Sequence, residues 1–156
     1  SLAVERPLIK VFSTDISADA LRCTRDNVTA HDLTKRFAVL RGPLLSPIPE
    51  QRSIDIVVSN PPYIPNAQID ELEPEVRQHE PRLALDGGDD GLDVYRALIP
   101  DAAKRARRAV VVEIGAGQAD DVCSIFTDSG LINIKTHKDL AGHVRVVEGH
   151  CPTDRT

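Results

Sequence analysis

The residues best suited to chemistry in this sequence form one tetrapeptide, Asn60-Pro61-Pro62-Tyr63. An Asn side chain offers one acceptor and two donors, so it can hold another amide or amino group in a fixed orientation. Proline has no N–H, so this turn presents bare carbonyl groups that can accept hydrogen bonds from a substrate NH₂ group. Tyr63 supplies a flat face for a planar group. Together these residue types favour the positioning of a planar nitrogen, a poor nucleophile, for attack on an electrophile.

The apolar run Ile54-Asp55-Ile56-Val57-Val58-Ser59 must position this tetrapeptide. Such a run is typical of a buried parallel strand. Ligand sites in open α/β sheets lie just beyond the carboxyl ends of the strands. We therefore expect the tetrapeptide to lie at a functional edge of a sheet. The alternative is a rigid Pro-Pro turn that only ends the strand.

Asp15 is a second candidate, because it follows a predicted strand over residues 8–13. A carboxylate at the end of a strand is well placed to accept both hydrogen bonds from a ribose diol. Alternatively, Asp15 is a helix N-cap or an ordinary surface acid. Since Asn60 follows a later strand in the same way, we favour the ribose-binding role.

Strand and helix signals alternate along the chain, which predicts an α/β domain with a mainly parallel sheet. Residues 61–80 hold four prolines and predict a long functional loop, with one helical turn near residues 69–73. The last two predicted strands are candidates for an antiparallel pair. The further predicted strands cover residues 37–40, 109–114, 131–136 and 143–149, and the predicted helices cover 17–29, 93–107 (kinked or split at Pro100) and 119–129.

Two glycine-rich segments have less specific patterns. Asp86–Gly91 lacks the carboxylate spacing of an EF-hand loop, so we predict a flexible surface turn. Glu113–Gln118 contains a Gly-x-Gly, which alone is a weak signal, and we favour a tight strand-to-helix turn over a cofactor loop.

Composition bounds the remaining possibilities. A length of 156 residues predicts one domain, and 41% hydrophobic with 28% charged residues is ordinary for a soluble globular protein. The three cysteines are far apart and odd in number, which indicates reduced thiols and no metal site. Without a signal peptide or an apolar run near 18 residues, we expect a cytoplasmic protein that does not enter membranes. With a net charge of −5, we interpret the basic residues 104–108 as the solvated end of a helix rather than a nucleic-acid patch.

Several segments, in order along residues 1–150, resemble the HemK/PrmC type of peptide chain release factor glutamine N5-methyltransferase. They include non-catalytic segments as well as the tetrapeptide: the strand ending at Asp15, Gly42-Pro43-Leu44-Leu45, Ser59–Ile64, His79–Gly88, Gly91–Arg96, Glu113–Gly115 and Lys138–Gly142. The resemblance implies a Rossmann-like class I S-adenosylmethionine-dependent methyltransferase fold, mostly parallel, in which residues 1–156 are part of the catalytic domain. It also implies that the first strand, the Gly-rich cofactor loop and an N-terminal helical domain lie upstream of Ser1.

The resemblance further implies methyl transfer from S-adenosylmethionine to the glutamine of the Gly-Gly-Gln motif in a class 1 release factor, the protein partner. Asn60 and the Pro61 carbonyl would hold the amide NH₂ group, and Tyr63 would pack against the glutamine. Proline at position 43 replaces an acid that usually holds the adenine, whereas Leu44 can still pack against the ring. The implied catalytic residues are Asn60, Pro61, Pro62 and Tyr63, and the implied cofactor-binding residues are Asp15, Leu44 and Asn60.

Two other functions stay open at this point. Asn-Pro-Pro-Tyr serves exocyclic NH₂ groups equally well, so an adenine amino-methyltransferase acting on a flipped base is one alternative. The acidic balance argues against it. A degenerate remnant that binds a release factor without turnover is the other. In the implied fold the first strand lies between the strands that end at Asp15 and Asn60, so without it both strands have unpaired edges.

Overall fold

The computed structural model describes residues 1–71 and 81–152. The chain divides into two compact units, Ser1–Arg52 and Ser53–Thr156. We call them the N-terminal unit and the C-terminal unit.

The N-terminal unit is a two-stranded parallel sheet with two helices. Its elements are α1 (Leu2–Glu5), β1 (Val11–Asp15), α2 (Ala18–Ala30) and β2 (Phe37–Arg41). Ala3, Val28 and Leu33 form its core, against which Val11, Phe37 and Val39 pack. Ser17 is the N-cap of α2, as predicted, and its side chain accepts a hydrogen bond from the Ala20 amide at 3.2 Å.

The C-terminal unit holds a four-stranded mixed sheet in the order β3-β4-β6-β5. β4 is parallel to β3, and β6 is antiparallel to β4 and β5, so three of the four strands run in one direction. The predicted antiparallel final pair is confirmed. The elements are β3 (Ile54–Ser59), α3 (Asn66–Ile69), α4 (Arg82–Leu85), α5 (Asp93–Arg105), β4 (Ala106–Glu113), α6 (Ala119–Asp128), β5 (Ile132–Lys138) and β6 (Val144–His150).

The core of the C-terminal unit lies on one face of this sheet. α5 contacts β4, and α6 contacts β5 and β6. The contact buries side chains that are 0% exposed, including Val110, Val112 and Val147 on the sheet and Ile99 and Phe126 on the helices. Burial of apolar surface drives this packing, at about 25 cal/mol per Å².

The exposure of one face of β3 differs from the prediction made from the sequence. The apolar run predicts a buried strand, but Ile56 and Val58 are 51% and 58% exposed, whereas Val57 is 5% exposed. Alternate strand residues point to opposite faces, and within this unit α5 and α6 cover only the face of Val57. Among the described strands, β3 pairs only with β4 and β1 only with β2, so each has one unpaired edge.

Other boundaries differ from the predictions in smaller ways. The first strand begins at Val11 rather than at residue 8, and Leu8 is exposed. Pro100 neither splits nor ends α5, because buried residues on both sides of it hold the helix against the sheet. Arg107 and Arg108 belong to β4 rather than to a helix. A helical turn covers Asn66–Ile69, and the rest of the predicted loop, from residue 72 to 80, lies outside the described residues.

None of the described helices is long and apolar enough to cross a membrane.

Replacement of Phe126 by alanine tests this account of the core. Phe126 is 0% exposed and fills the space beside Gly149 of β6. We expect Phe126→Ala to lower the free energy of unfolding by about 3–5 kcal/mol, because it removes buried contacts and leaves a cavity. Urea denaturation measures the change. Leu140→Ala is the control, since Leu140 is fully exposed and its loss should change stability by less than about 0.5 kcal/mol. Equal effects of the two changes would contradict the proposed core.

Candidate active site

The predicted tetrapeptide directly follows β3 in the C-terminal unit. Asn60 is exposed, Pro61 is buried, and Pro62 and Tyr63 are half-buried. Within the described residues, the Asn60 amide makes no side-chain hydrogen bond. Its two donors and its acceptor are therefore available to a bound molecule.

The backbone that follows Tyr63 is held by the segment Leu85–Gly88. The Ile64 amide donates to the Leu85 carbonyl, and the Gly87 amide donates to the Ile64 carbonyl, both at 2.9 Å. The Asn66 amide donates to the Gly88 carbonyl at 2.9 Å. The predicted surface turn over Asp86–Gly91 is exposed only in part: Asp89 and Asp90 are exposed, whereas Gly87 and Gly88 are hydrogen-bonded to the continuation of the tetrapeptide.

Three glycines lie in close contact with Tyr63. A Cβ atom on Gly87 would lie 2.8 Å from the Tyr63 Cα, and one on Gly115 would lie 2.9 Å from the Tyr63 Cδ2. A Cβ atom on Gly91 would meet the Tyr63 carbonyl oxygen. These glycines let their backbone approach the backbone or the ring of Tyr63 to a distance that any side chain would block. Their recurrence in two separate segments is the only sequence signal of this packing.

Gln118 was not recognised from the sequence, although the structure places it next to Tyr63. It is buried, at 9% exposure. Its Nε2 donates to the Tyr63 carbonyl at 2.9 Å and to the Gly91 carbonyl at 3.3 Å, and its Oε1 accepts from the Gly115 amide at 2.9 Å. The tight turn predicted over Glu113–Gln118 is present, with the Gln118 amide donating to the Gly115 carbonyl.

Tyr95 of α5 secures the end of β4. Its side chain is 0% exposed, and its hydroxyl donates to the Glu113 carbonyl at 2.8 Å. Burial, with smaller contributions from Tyr63 and Glu113, raises the pKa of Tyr95 well above its usual range. The phenol therefore stays neutral and remains a hydrogen-bond donor.

Asp15 and Leu44, the predicted cofactor residues, lie in the N-terminal unit. One carboxylate oxygen of Asp15 accepts from the Ser17 amide at 2.8 Å, and the other makes no hydrogen bond with a described residue. The N-cap of α2 is Ser17, so Asp15 does not have the capping role. The Asp15 carbonyl accepts from the Gly42 amide at 3.0 Å, which brings the ends of β1 and β2 together.

Leu44 is half-buried in a left-handed backbone conformation, with φ of +48°. That conformation costs a residue with a side chain about 1–2 kcal/mol. The Thr14 hydroxyl, which donates to the Leu44 carbonyl at 2.6 Å, holds it. Strained backbone of this kind is concentrated at functional sites, which supports Leu44 as a candidate. No cluster of His, Cys, Asp and Glu in the described part of the chain has the arrangement of a metal site.

Comparison with solved structures identifies the fold of the chain. The catalytic domain of METTL16 in complex with a MAT2A 3′UTR hairpin, a human protein, has a TM-score of 0.72 to this chain at 14% identity, covering 99% of this chain and 60% of that one. This similarity confirms the predicted Rossmann-like class I methyltransferase fold.

Sequence comparisons identify the family to which the chain belongs. Residues 1–81 match the Methyltransferase small domain family, and the chain belongs to that family. The release factor glutamine methyltransferase of Caulobacter vibrioides is 46% identical over 96% of this chain and 52% of its own length. That of Geobacter sulfurreducens is 40% identical over the same shares. The chain thus spans about half the length of these curated relatives.

Replacement of Gly91 by alanine tests the close packing around Tyr63. Gly91 has φ of +77°, and its Cβ would meet the Tyr63 carbonyl and lie 2.6 Å from the Gln118 Nε2. Gly130 is the matched control, with φ of +79° and open space around its Cβ. We expect Gly130→Ala to lower the free energy of unfolding by about 1–2 kcal/mol through backbone strain alone, and Gly91→Ala to lower it further. Urea denaturation measures the free energy of unfolding of both variants, and hydrogen exchange measures the protection of the Ile64 amide. Equal losses, with unchanged exchange at Ile64, would contradict the packing.

The buried Tyr95 gives a pH prediction. Tyr63→Phe leaves Tyr95 as the only tyrosine of the chain, so tyrosinate absorbance reports on that residue alone. The pKa of Tyr95 is higher in the folded than in the unfolded protein. Its contribution to stability is therefore fully present below the unfolded value of about 10 and is lost as the pH rises above it. We expect absorbance and loss of circular dichroism to change together above that pH. Ionisation of Tyr95 near its ordinary pKa in a still-folded chain would contradict the buried, bonded phenol.

Proposed function

We propose that this chain belongs to an enzyme that transfers a methyl group from S-adenosylmethionine to a glutamine side-chain amide, in the Gly-Gly-Gln motif of a class 1 peptide chain release factor. In this proposal its 156 residues are part of one methyltransferase catalytic domain. The observation that carries the proposal is the exposed Asn60 amide, which makes no side-chain hydrogen bond with a described residue, on a turn whose far end is fixed at Tyr63 and Ile64. The 46% and 40% identical relatives support the choice of substrate.

In the proposed reaction, Asn60 and Pro61 orient the nucleophile. The Asn60 Oδ1 and the Pro61 carbonyl accept hydrogen bonds from the two N–H groups of the substrate amide, and Pro62 keeps the turn rigid. Tyr63 packs against the glutamine side chain. Fixing the nitrogen in this way supplies most of the catalysis, because orientation of reactants removes much of the entropic part of the barrier. The amide proton leaves after the nitrogen has attacked, so no strong general base is required.

The N-terminal unit supplies groups that fit the cofactor. The second carboxylate oxygen of Asp15 makes no hydrogen bond with a described residue and can accept one from a ribose hydroxyl. Leu44 presents an apolar side chain for the adenine ring, and Asn60 is the proposed cofactor-binding residue of the C-terminal unit. When bound, S-adenosylmethionine supplies an electrophilic methyl group on a sulfonium.

Replacement of Asn60 tests this role directly. We expect Asn60→Ala to lower kcat for methyl transfer to a purified class 1 release factor by about 100-fold, because the amide is no longer oriented. The assay follows labelled methyl groups into the Gly-Gly-Gln peptide. Asn27→Ala, an exposed position on α2, is the matched control and should keep wild-type activity.

Calorimetric titration of S-adenosylhomocysteine separates loss of cofactor binding from loss of transfer. Binding of both S-adenosylhomocysteine and the release factor by the wild-type chain, without any transfer, would overturn the proposed activity and favour the non-catalytic remnant. Transfer to an adenine-containing oligonucleotide, but not to the release factor, would replace the substrate class. Full activity of Asn60→Ala would remove Asn60 from the mechanism.

A further inference from the structure

Gln118 joins three segments of the C-terminal unit that are distant in sequence. Its side chain bonds to the tetrapeptide at Tyr63, to the glycine-rich segment at Gly91 and to the turn after β4 at Gly115. Both Nε2 hydrogens and one lone pair of Oε1 are used. A buried polar group bonded in this way is expensive to remove, because each carbonyl it serves then loses its partner.

The contacts of Gln118 act on the position of Tyr63. The Tyr63 carbonyl receives its hydrogen bond from Gln118, and close contact with three glycines limits where this residue can move. Pro61 and Pro62 lie between Tyr63 and Asn60, and the ring of each proline fixes φ near −65°. A displacement at Tyr63 is therefore transmitted to Asn60 rather than absorbed by the turn.

Gln118 is itself held by a rigid element. It is the N-cap residue of α6, and its own carbonyl accepts from the Val122 amide at 3.0 Å in the first turn of that helix. Val122 and Phe126 anchor α6 in the core at 0% exposure. Side chains supported by packed helices hold a site more accurately than those supported by loops.

We propose that Gln118 is the positioning residue of this site: it sets the place of the Tyr63 backbone and, through the two prolines, the direction of the Asn60 amide. Gln118 acts through Tyr63 and does not itself contact the substrate. The consequence for methyl transfer rests on the function proposed above. The placement of Tyr63 does not, and it can be measured without any substrate.

Gln118→Glu is the decisive variant because it keeps the shape of the side chain and changes only the donors. One carboxyl oxygen can still accept from the Gly115 amide, whereas the other faces the Tyr63 and Gly91 carbonyls and repels them when ionised. Burial raises the pKa of such a carboxyl group. As the pH falls, the carboxyl group becomes protonated and can donate one hydrogen bond to Tyr63. The defect should therefore be reversed by acid in this variant, whereas the wild-type amide does not titrate.

The measurement is ¹⁹F NMR of the full chain labelled with fluorotyrosine, in which Tyr63 and Tyr95 give two resonances. We expect Gln118→Glu to shift or broaden the Tyr63 resonance at neutral pH, and the wild-type spectrum to return as the pH is lowered. Ile99→Val is the control for general destabilisation, since it weakens the core at α5 and leaves the helix that carries Gln118 unchanged. It should leave the Tyr63 resonance in place. If Gln118→Glu does not fold, Gln118→Met has a similar length without charge or donors and should shift the same resonance.

Activity provides the second readout. We expect Gln118→Glu to lower kcat at neutral pH by about 10-fold or more, with recovery in acid, because a misplaced reacting group reduces turnover. A Tyr63 resonance that is identical in wild type and in both Gln118 variants would overturn the positioning role. If the wild-type chain binds S-adenosylhomocysteine and the release factor but transfers no methyl group, the proposed function fails, but the Tyr63 resonance still decides the role of Gln118.

Discussion

The hydrogen bond from the Gln118 side chain to the Tyr63 carbonyl is the interaction on which the arrangement of the C-terminal unit around the tetrapeptide depends. Tyr63 is half-buried and lies against the backbone of three glycines. A buried carbonyl without a partner costs about 1–3 kcal/mol. The amide of Gln118, at 2.9 Å, removes that cost and at the same time ties the turn after β3 to the start of α6.

The parallel pairing of β3 with β4 makes this interaction possible. Neighbouring parallel strands end at the same edge of a sheet, so the turn after Ser59 and the turn after Glu113 emerge side by side. Residues 55 positions apart in sequence can then share a hydrogen bond. Tyr95, bonded to the Glu113 carbonyl from α5, fixes the end of β4 from the helical side. The paired strands β3 and β4 and the helices α5 and α6 thus all contribute to the placement of the tetrapeptide Asn60–Tyr63.

This arrangement suits a reaction in which position matters more than acid–base chemistry. Asn60 presents an amide with no competing hydrogen bond in the described residues, on a turn with two prolines and a fixed far end. In the N-terminal unit, Thr14 holds Leu44 in a costly backbone conformation, and one oxygen of the Asp15 carboxylate makes no hydrogen bond with a described residue. Membership of the Methyltransferase small domain family is consistent with both sets of residues. Rigid placement of groups, rather than a tuned pKa at the reacting atom, is the common feature.

The sequence alone determined the parts of this structure that depend on near neighbours. The apolar run before Asn60 predicts β3 to the residue, the Ser17 cap marks the start of α2, and the Asn-Pro-Pro-Tyr turn identifies the candidate site. Only the tertiary structure decided that Asp86–Gly91 packs on Tyr63, that one face of β3 is exposed, and that Gln118 belongs to the site. The two packing features arise from contacts between residues 21 to 55 positions apart, from Ile64 with Leu85 to Tyr63 with Gln118. Local patterns of hydrophobicity and turn residues carry no information on such contacts, because they are formed only when separate strands and helices come together.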